Sequence, residues 1–355
     1  MDEQLPLDER FPRLTELQVQ LGCEWCAIRK GIAAATKKLS ELATLFADSK
    51  QTSAAGTSFV CFGSLARGEW TFASDLDWIL LVNGDEAQRH GAALQALNRK
   101  LNERNVISPA AGGMFAAIVN GQELIAGIPG HRSVRNLSLR SLLLLESIAI
   151  GDDLPMRNVI RNILAAYLEE DSSWNSNRRE TVPEYLLQDI AAFGRTMAVD
   201  LDDQFPDQTG QKWGLRNAKR RFSRKLIIAT GSLACWNWRQ HCADHPPADD
   251  GAVAGGAIEY FKNYLGRPPL EILAAELLKH DIAPTIAARL FGAYNRFLGI
   301  LDDTASREEL ELLNRELAST NILFQEVCEF GREFDAALRK CFLLMRPAAC
   351  NAVPR

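Results

Sequence analysis

Residues 60–82 run VCFGSLARGEWTFASDLDWILLV. A short apolar segment ends at Gly63-Ser64, and a second one, WILLV, begins directly after Asp75-Leu76-Asp77. On an extended strand, residues i and i+2 point to the same face, so Asp75 and Asp77 are expected to project together. Two carboxylates that close repel each other unless a cation stands between them. A hard divalent ion such as Mg²⁺ (or Mn²⁺) takes oxygen ligands and leaves room for substrate phosphates. Upstream, Gly63 lets the backbone approach a ligand closely, and Ser64 adds a hydroxyl and N–H groups at the start of a turn. Ten residues separate Ser64 from Asp75, enough for the chain to loop out and return beside the first strand. Metal ligands and a phosphate cradle at this spacing suit in-line attack on the α-phosphate of a nucleoside triphosphate.

The same periodicities extend along the chain. Residues 13–48 read as one helical run, with apolar positions near a 3.6-residue period. FVCF and DLDWILLV read as strands, and NGDEAQRHGAALQALNRKLNERN as a helix between that unit and GMFAAIV. GMFAAIV and ELIAGI are strand-like, and Asn120-Gly121 between them is a hairpin signal. From Asn136 onward the pattern is helical: SLRSLLLLESIAI, MRNVIRNILAAYL, PEYLLQDIAAFGRTMAVDL and LRNAKRRFSRKLIIATGSLACW are successive candidates. Pro183 stands where a helix opens, Ser306 and Glu309 fit a capping box, and ADHPPADDGAVAGGA reads as a linker.

GSLARGEWTFASDLDWILLV resembles the signature of the polymerase-β-type nucleotidyltransferase superfamily: Gly-Ser, a spacer, then Asp-hydrophobic-Asp at a strand. Arg67-Gly68-Glu69 and Ser74-Asp75 are similar to bacterial PII uridylyltransferases, glutamine synthetase adenylyltransferases and a less characterised group of nucleotidyltransferases related to them. LIAGIPGHRSVRNLSLRSLLLLES, YLLQDIAAFGRTMAVDL and KWGLRNAKRRFSRKLI are similar to further segments of that last group. The resemblance covers roughly residues 55–235. It implies a small mixed-sheet α/β nucleotidyltransferase domain followed by a mainly α-helical domain. The expected division is an N-terminal helical segment over 1–50, a catalytic domain over 51–150 and a helical domain over 151–355, with a joint near 243–257.

Members of the superfamily bring a third carboxylate, a general base, from a later strand. Within residues 110–136 only Glu123 offers one; His131, Arg132 and Ser133 stand where related sequences carry acids. The expected catalytic set is therefore Asp75, Asp77 and Glu123, with Asp75 and Asp77 as metal ligands. The expected nucleotide contacts are Gly63, Ser64, Arg67, Ser74, Asp189, Arg195, Arg216, Lys219 and Arg220. The last three belong to Lys212–Lys225, which holds seven cations and no acid in a chain of formal net charge -5. Leu215, Ala218, Phe222 and Leu226 form its core stripe, and Arg216, Arg220 and Arg224 a ridge at i, i+4 and i+8. That ridge suits a triphosphate or an RNA backbone, or it is a solvated face balanced by DLDDQFPD upstream.

With no global positive charge, any polyanion must be held locally. The eight cysteines show no paired rhythm. Cys23-Glu24-Trp25-Cys26 lacks a second pair, and His241, Cys242 and His245 lack a clear fourth ligand, so both read as structure rather than zinc sites. Trp236 and Trp238 read as packing. No apolar segment approaches the roughly 20 residues needed to span a bilayer. The expectation is a cytoplasmic Mg²⁺-dependent enzyme moving a nucleoside monophosphate, from ATP first among the triphosphates, to a hydroxyl on protein, RNA or a small molecule. The alternative is a nucleotide-binding regulatory pseudoenzyme without an efficient base.

Overall fold

A computed structural model of the chain describes residues 9–47, 56–84, 90–104, 106, 113–128, 133–199 and 212–345. The elements run, in order, α1 (Pro12–Leu21), α2 (Cys26–Ala47), β1 (Thr57–Phe62), α3 (Gly63–Arg67), β2 (Trp78–Val82) and α4 (Gly91–Glu103). Next come β3 (Ala117–Asn120), α5 (Gly121–Ile125), α6 (Val134–Leu145), β4 (Ser147–Ile150), α7 (Leu154–Glu170), α8 (Ser172–Ser176) and α9 (Glu184–Val199). The remainder is helical: α10 (Trp213–Lys219), a π-helical turn Arg220–Arg224, α11 (Lys225–Asp244), α12 (Asp250–Leu265), α13 (Pro269–Lys279), α14 (Pro284–Asp302), α15 (Thr304–Leu312) and α16 (Ile322–Met345). The architecture is thus a small mixed sheet followed by a mainly helical part. No helix among the described residues is long and apolar enough to cross a membrane.

The four strands lie in the order β3-β2-β1-β4. β1 pairs antiparallel with β2 and with β4, while β3 runs parallel to β2. On one face, Phe59, Cys61, Trp78 and Leu80 join Ala35 and Leu42 of α2 and Ala93, Leu97 and Leu101 of α4 in one buried cluster. Every residue of β2 is at most 2% exposed, as a central strand covered on both faces requires. α7 covers the other face. Its amide at Met156 donates to Ser58 Oγ of β1 (3.1 Å), and Gly121 leaves room for Val159, whose Cγ2 would stand 2.5 Å from a Cβ there.

Two compact units result, each built from separated segments: Ala34–Phe193 with Gly231–Pro268, and Met1–Ala33 with Gly194–Thr230 and Pro269–Arg355. The first holds the sheet. The second is helical. There Glu271, 2% exposed, caps α1 by accepting from the Arg13 and Leu14 amides, both at 3.0 Å. Asn295 Oδ1 accepts from Ala27 and Ile28 at the start of α2. Phe222 stacks on Phe297 at 4.4 Å, with Phe334 and Tyr294 around it.

Several expectations need correction. The helical run 13–48 is two helices, because Gly22 adopts φ 59° and closes α1. Asn120-Gly121 makes no hairpin: Asn120 accepts from the Gln122 amide and caps α5, so ELIAGI begins in a helix and β3 is a parallel strand. SLRSLLLLESIAI ends its helix at Leu145 and continues as β4. Asp303, not Ser306, caps α15, accepting from the Ser306 amide at 2.8 Å. GAVAGGA lies inside α12, capped by Asp249, which confines the linker to a few residues around Pro246-Pro247. The ridge at Arg216, Arg220 and Arg224 is interrupted by the π turn, and Arg224 donates to the Met197 carbonyl at 2.9 Å. Its expected counterweight, DLDDQFPD, lies outside the described residues. The apolar stripe Leu215, Ala218, Phe222 and Leu226 is buried as its spacing predicts.

Candidate functional site

The β1–β2 ladder extends one step past Cys61↔Trp78, where the Phe62 amide donates to the Asp77 carbonyl at 2.9 Å. This sets the residue after Phe62 beside Asp77. That residue is Gly63, at φ +68°, and a Cβ built on it would stand 3.2 Å from Asp77 Oδ2. Both features select glycine: a side chain is strained at this φ and crowds the carboxylate. Ser64 follows, half-buried, at the start of the single-turn helix α3.

β2 itself begins at Trp78, so Asp75 and Asp77 lie just before the strand rather than within it. Leu76 and Trp78 are each 0% exposed and enter the core cluster. Between and before them, Asp75 is exposed and Asp77 half-buried, so burial alternates along residues 75–78. The negative charge of Asp77 is felt at Cys61: burial first, and then Asp77, push that thiol well above its usual range. Cys61 is therefore a neutral thiol at physiological pH and no nucleophile.

Other expected site residues have partners inside the protein. Arg67, 9% exposed, donates from Nε to Glu69 Oε2 at 2.9 Å and from Nη1 to Glu146. Ser74 Oγ accepts from the Thr71 amide at 3.0 Å and closes the loop before Asp75. Asp189, 6% exposed, accepts from Arg140 Nη2 (2.9 Å) and from the Tyr167 hydroxyl (2.5 Å). Burial and then Asp189 raise Tyr167 far above the ordinary phenol range, so it stays a donor. Arg140 also donates to the Leu124 carbonyl, tying α5 to α6 and α7.

Glu123 is exposed in the first turn of α5. Among the described residues no group of three or more His, Cys, Asp or Glu is gathered as a metal site, so Glu123 does not complete a triad with the aspartates. Pro129–Arg132 of the Gly-rich turn lie outside the described residues, and Ser133 caps α6. Arg195 and Arg216 are exposed, and Lys219 and Arg220 half-buried; all four belong to the helical unit.

The donor set still suits a hard cation. Mg²⁺ keeps several waters and takes one or two protein carboxylates plus phosphate oxygens, and Asp77 beside a side-chain-free Gly63, with the exposed Asp75 two residues before it, offers carboxylates of that kind.

Residues 9–105 match the family model described as "Putative nucleotidyltransferase DUF294". The DUF294 match spans α1 to α4 with the Gly63–Gly68 turn, Asp75 and Asp77, and stops before Glu123, Asp189 and Arg216. No curated protein matches the chain. The residues beyond the match that sequence reading missed are Glu146 and Arg140. The available signal was the same for both: a charge set inside the apolar run LSLRSLLLLESI.

Proposed function

We propose that this chain transfers a nucleoside monophosphate from a nucleoside triphosphate, ATP first among them, to a hydroxyl acceptor. The acceptor oxygen bonds to the α-phosphorus, the α–β bridging P–O bond breaks, pyrophosphate leaves, and the acceptor's proton passes to solvent. In this reading Asp75 and Asp77 hold Mg²⁺ or Mn²⁺ against the phosphates. That ion, when bound, neutralises charge on the phosphate and leaving-group oxygens. The Gly63–Ser64 turn receives the phosphate chain, and Ser74 and Asp189 act through the loop and helices they brace. The exposed cations Arg195 and Arg216, with Lys219 and Arg220, are offered by the helical unit to a polyanionic partner of its own.

The observation that supports the reading most is the bare Gly63 α-carbon facing the Asp77 carboxylate, two residues after the exposed Asp75. The position of Glu123, in no three-carboxylate group among the described residues, motivates a second reading as a regulatory nucleotide-binding protein.

Incubation with each of four α-³²P-labelled triphosphates, Mg²⁺ and cell lysate, followed by separation into protein, RNA and small molecules, tests both. The expected result is label in one fraction with matching pyrophosphate release. Nucleotide binding without pyrophosphate under every acceptor favours the regulatory reading, and absence of binding overturns both.

A further inference from the structure

Arg67 closes α3. After it Gly68 adopts φ 75°, and the Glu69 amide donates to the Ser64 carbonyl at 2.8 Å, folding the chain back over the turn. The Glu69 side chain returns to the guanidinium, with Oε2 2.9 Å from both Nε and Nη2. The opposite edge of the guanidinium donates to Glu146, the residue between α6 and β4. Glu146 stands immediately before Ser147, the partner of Phe62 across the β1–β4 ladder, and Phe62 immediately precedes Gly63. One guanidinium therefore joins the exit of the Gly63–Gly68 turn to the strand flanking its entry. The three side chains are 11%, 2% and 7% exposed, so the bridge is shielded from water and salt. A planar fork held on two edges fixes orientation as well as distance.

We infer that Arg67, through Glu69 and Glu146, is a positioning residue that holds the Gly63–Ser64 turn in register with Asp77, rather than a phosphate ligand. This rests on the reading in which that turn receives the triphosphate. Lysine keeps the charge but not the fork, so Arg67→Lys releases the turn without removing the buried cation, and Glu146→Gln releases it from the other side.

The full-length protein is measured as Arg67→Lys, Glu146→Gln and, for comparison, Asp171→Asn. Asp171 is a 1% exposed cap in the same unit, accepting from the Trp174 and Tyr185 amides. Two readouts are taken: hydrogen exchange of the Ser64–Gly68 amides without nucleotide, and Mg·ATP affinity from the rise of melting temperature with Mg·ATP concentration. Arg67→Lys and Glu146→Gln are expected to speed exchange and weaken Mg·ATP by at least about tenfold each (about 1.4 kcal/mol). Asp171→Asn is expected to lower the melting temperature and move neither readout. Unchanged exchange in the two bridge variants overturns the inference, as does an equal loss of affinity in Asp171→Asn. If the wild-type protein shows no Mg·ATP-dependent shift, the proposed function fails, and the exchange comparison alone decides the bridge.

Discussion

Replacing Asp75 and Asp77 together by Asn is expected to lower nucleotidyl transfer by about 10³-fold or more while leaving the protein folded. The size follows from mutational losses of roughly 10²–10³-fold for a single preorganised electrostatic group at a reacting centre. The stability side follows from burial. Asp75 is exposed and Asp77 half-buried, and neither anchors the core that Leu76 and Trp78 fill. Neutralising neighbouring like charges removes repulsion. The change in unfolding free energy should therefore fall within the roughly 0.5–3 kcal/mol of ordinary substitutions, short of unfolding the protein. Label transfer and thermal unfolding measured on one preparation check both halves. Transfer at the wild-type rate in the double variant removes the carboxylates from the mechanism.

Gly63→Ala is the second large effect. At φ +68° a side chain costs about 1–2 kcal/mol of backbone strain. The added methyl would stand 3.2 Å from Asp77 Oδ2, so the carboxylate must give by a few tenths of an ångström. Small misplacements of positioned groups cost rates far out of proportion to stability, about 10²-fold for an ångström. The expected outcome is a fall in transfer of about tenfold to 10²-fold with a modest loss of stability. Gly22→Ala separates the two causes. It carries the same left-handed strain at φ +59° with nothing within 4 Å of the new Cβ. It should lose similar stability and keep full activity, and equal losses of activity in the two variants would assign the effect to backbone strain alone.

Much of this arrangement was legible in the residues. FVCF and WILLV are apolar runs bounded by turn residues, and both are strands. Gly63-Ser64 and Asp75-Leu76-Asp77 mark where one strand ends and the next begins, and the antiparallel register brings them together. What failed did so for physical reasons. Asn120-Gly121 serves a hairpin and a helix cap with the same short amide side chain, and only the tertiary packing of α5 on α7 selects the cap. β4 follows α6 without glycine or proline, since the break is made by Glu146 at φ -156° and by ladder bonds to β1. The π turn at Arg220–Arg224 buries Phe222 and Ser223 in succession, which a 3.6-residue wheel does not anticipate. Local periodicity is equally silent on a unit assembled from Met1–Ala33, Gly194–Thr230 and Pro269–Arg355, because that grouping depends on contacts between distant segments. Arg67 enters the expected nucleotide contacts through the resemblance carried by Arg67-Gly68-Glu69. Its carboxylate partners, one of them 79 positions away, were visible only once the chain was folded.

A divalent cation held between Asp75 and Asp77 against a triphosphate is the centre of the proposed mechanism. Crystals grown with Mn²⁺ and a non-hydrolysable α,β-methylene ATP analogue, measured for the anomalous signal of manganese, test that directly. The predicted result is an anomalous peak within coordination distance of both carboxylates, with phosphate oxygens lying along Gly63 and Ser64. An ordered analogue bound elsewhere on the protein, with no manganese beside Asp75 and Asp77, would contradict it.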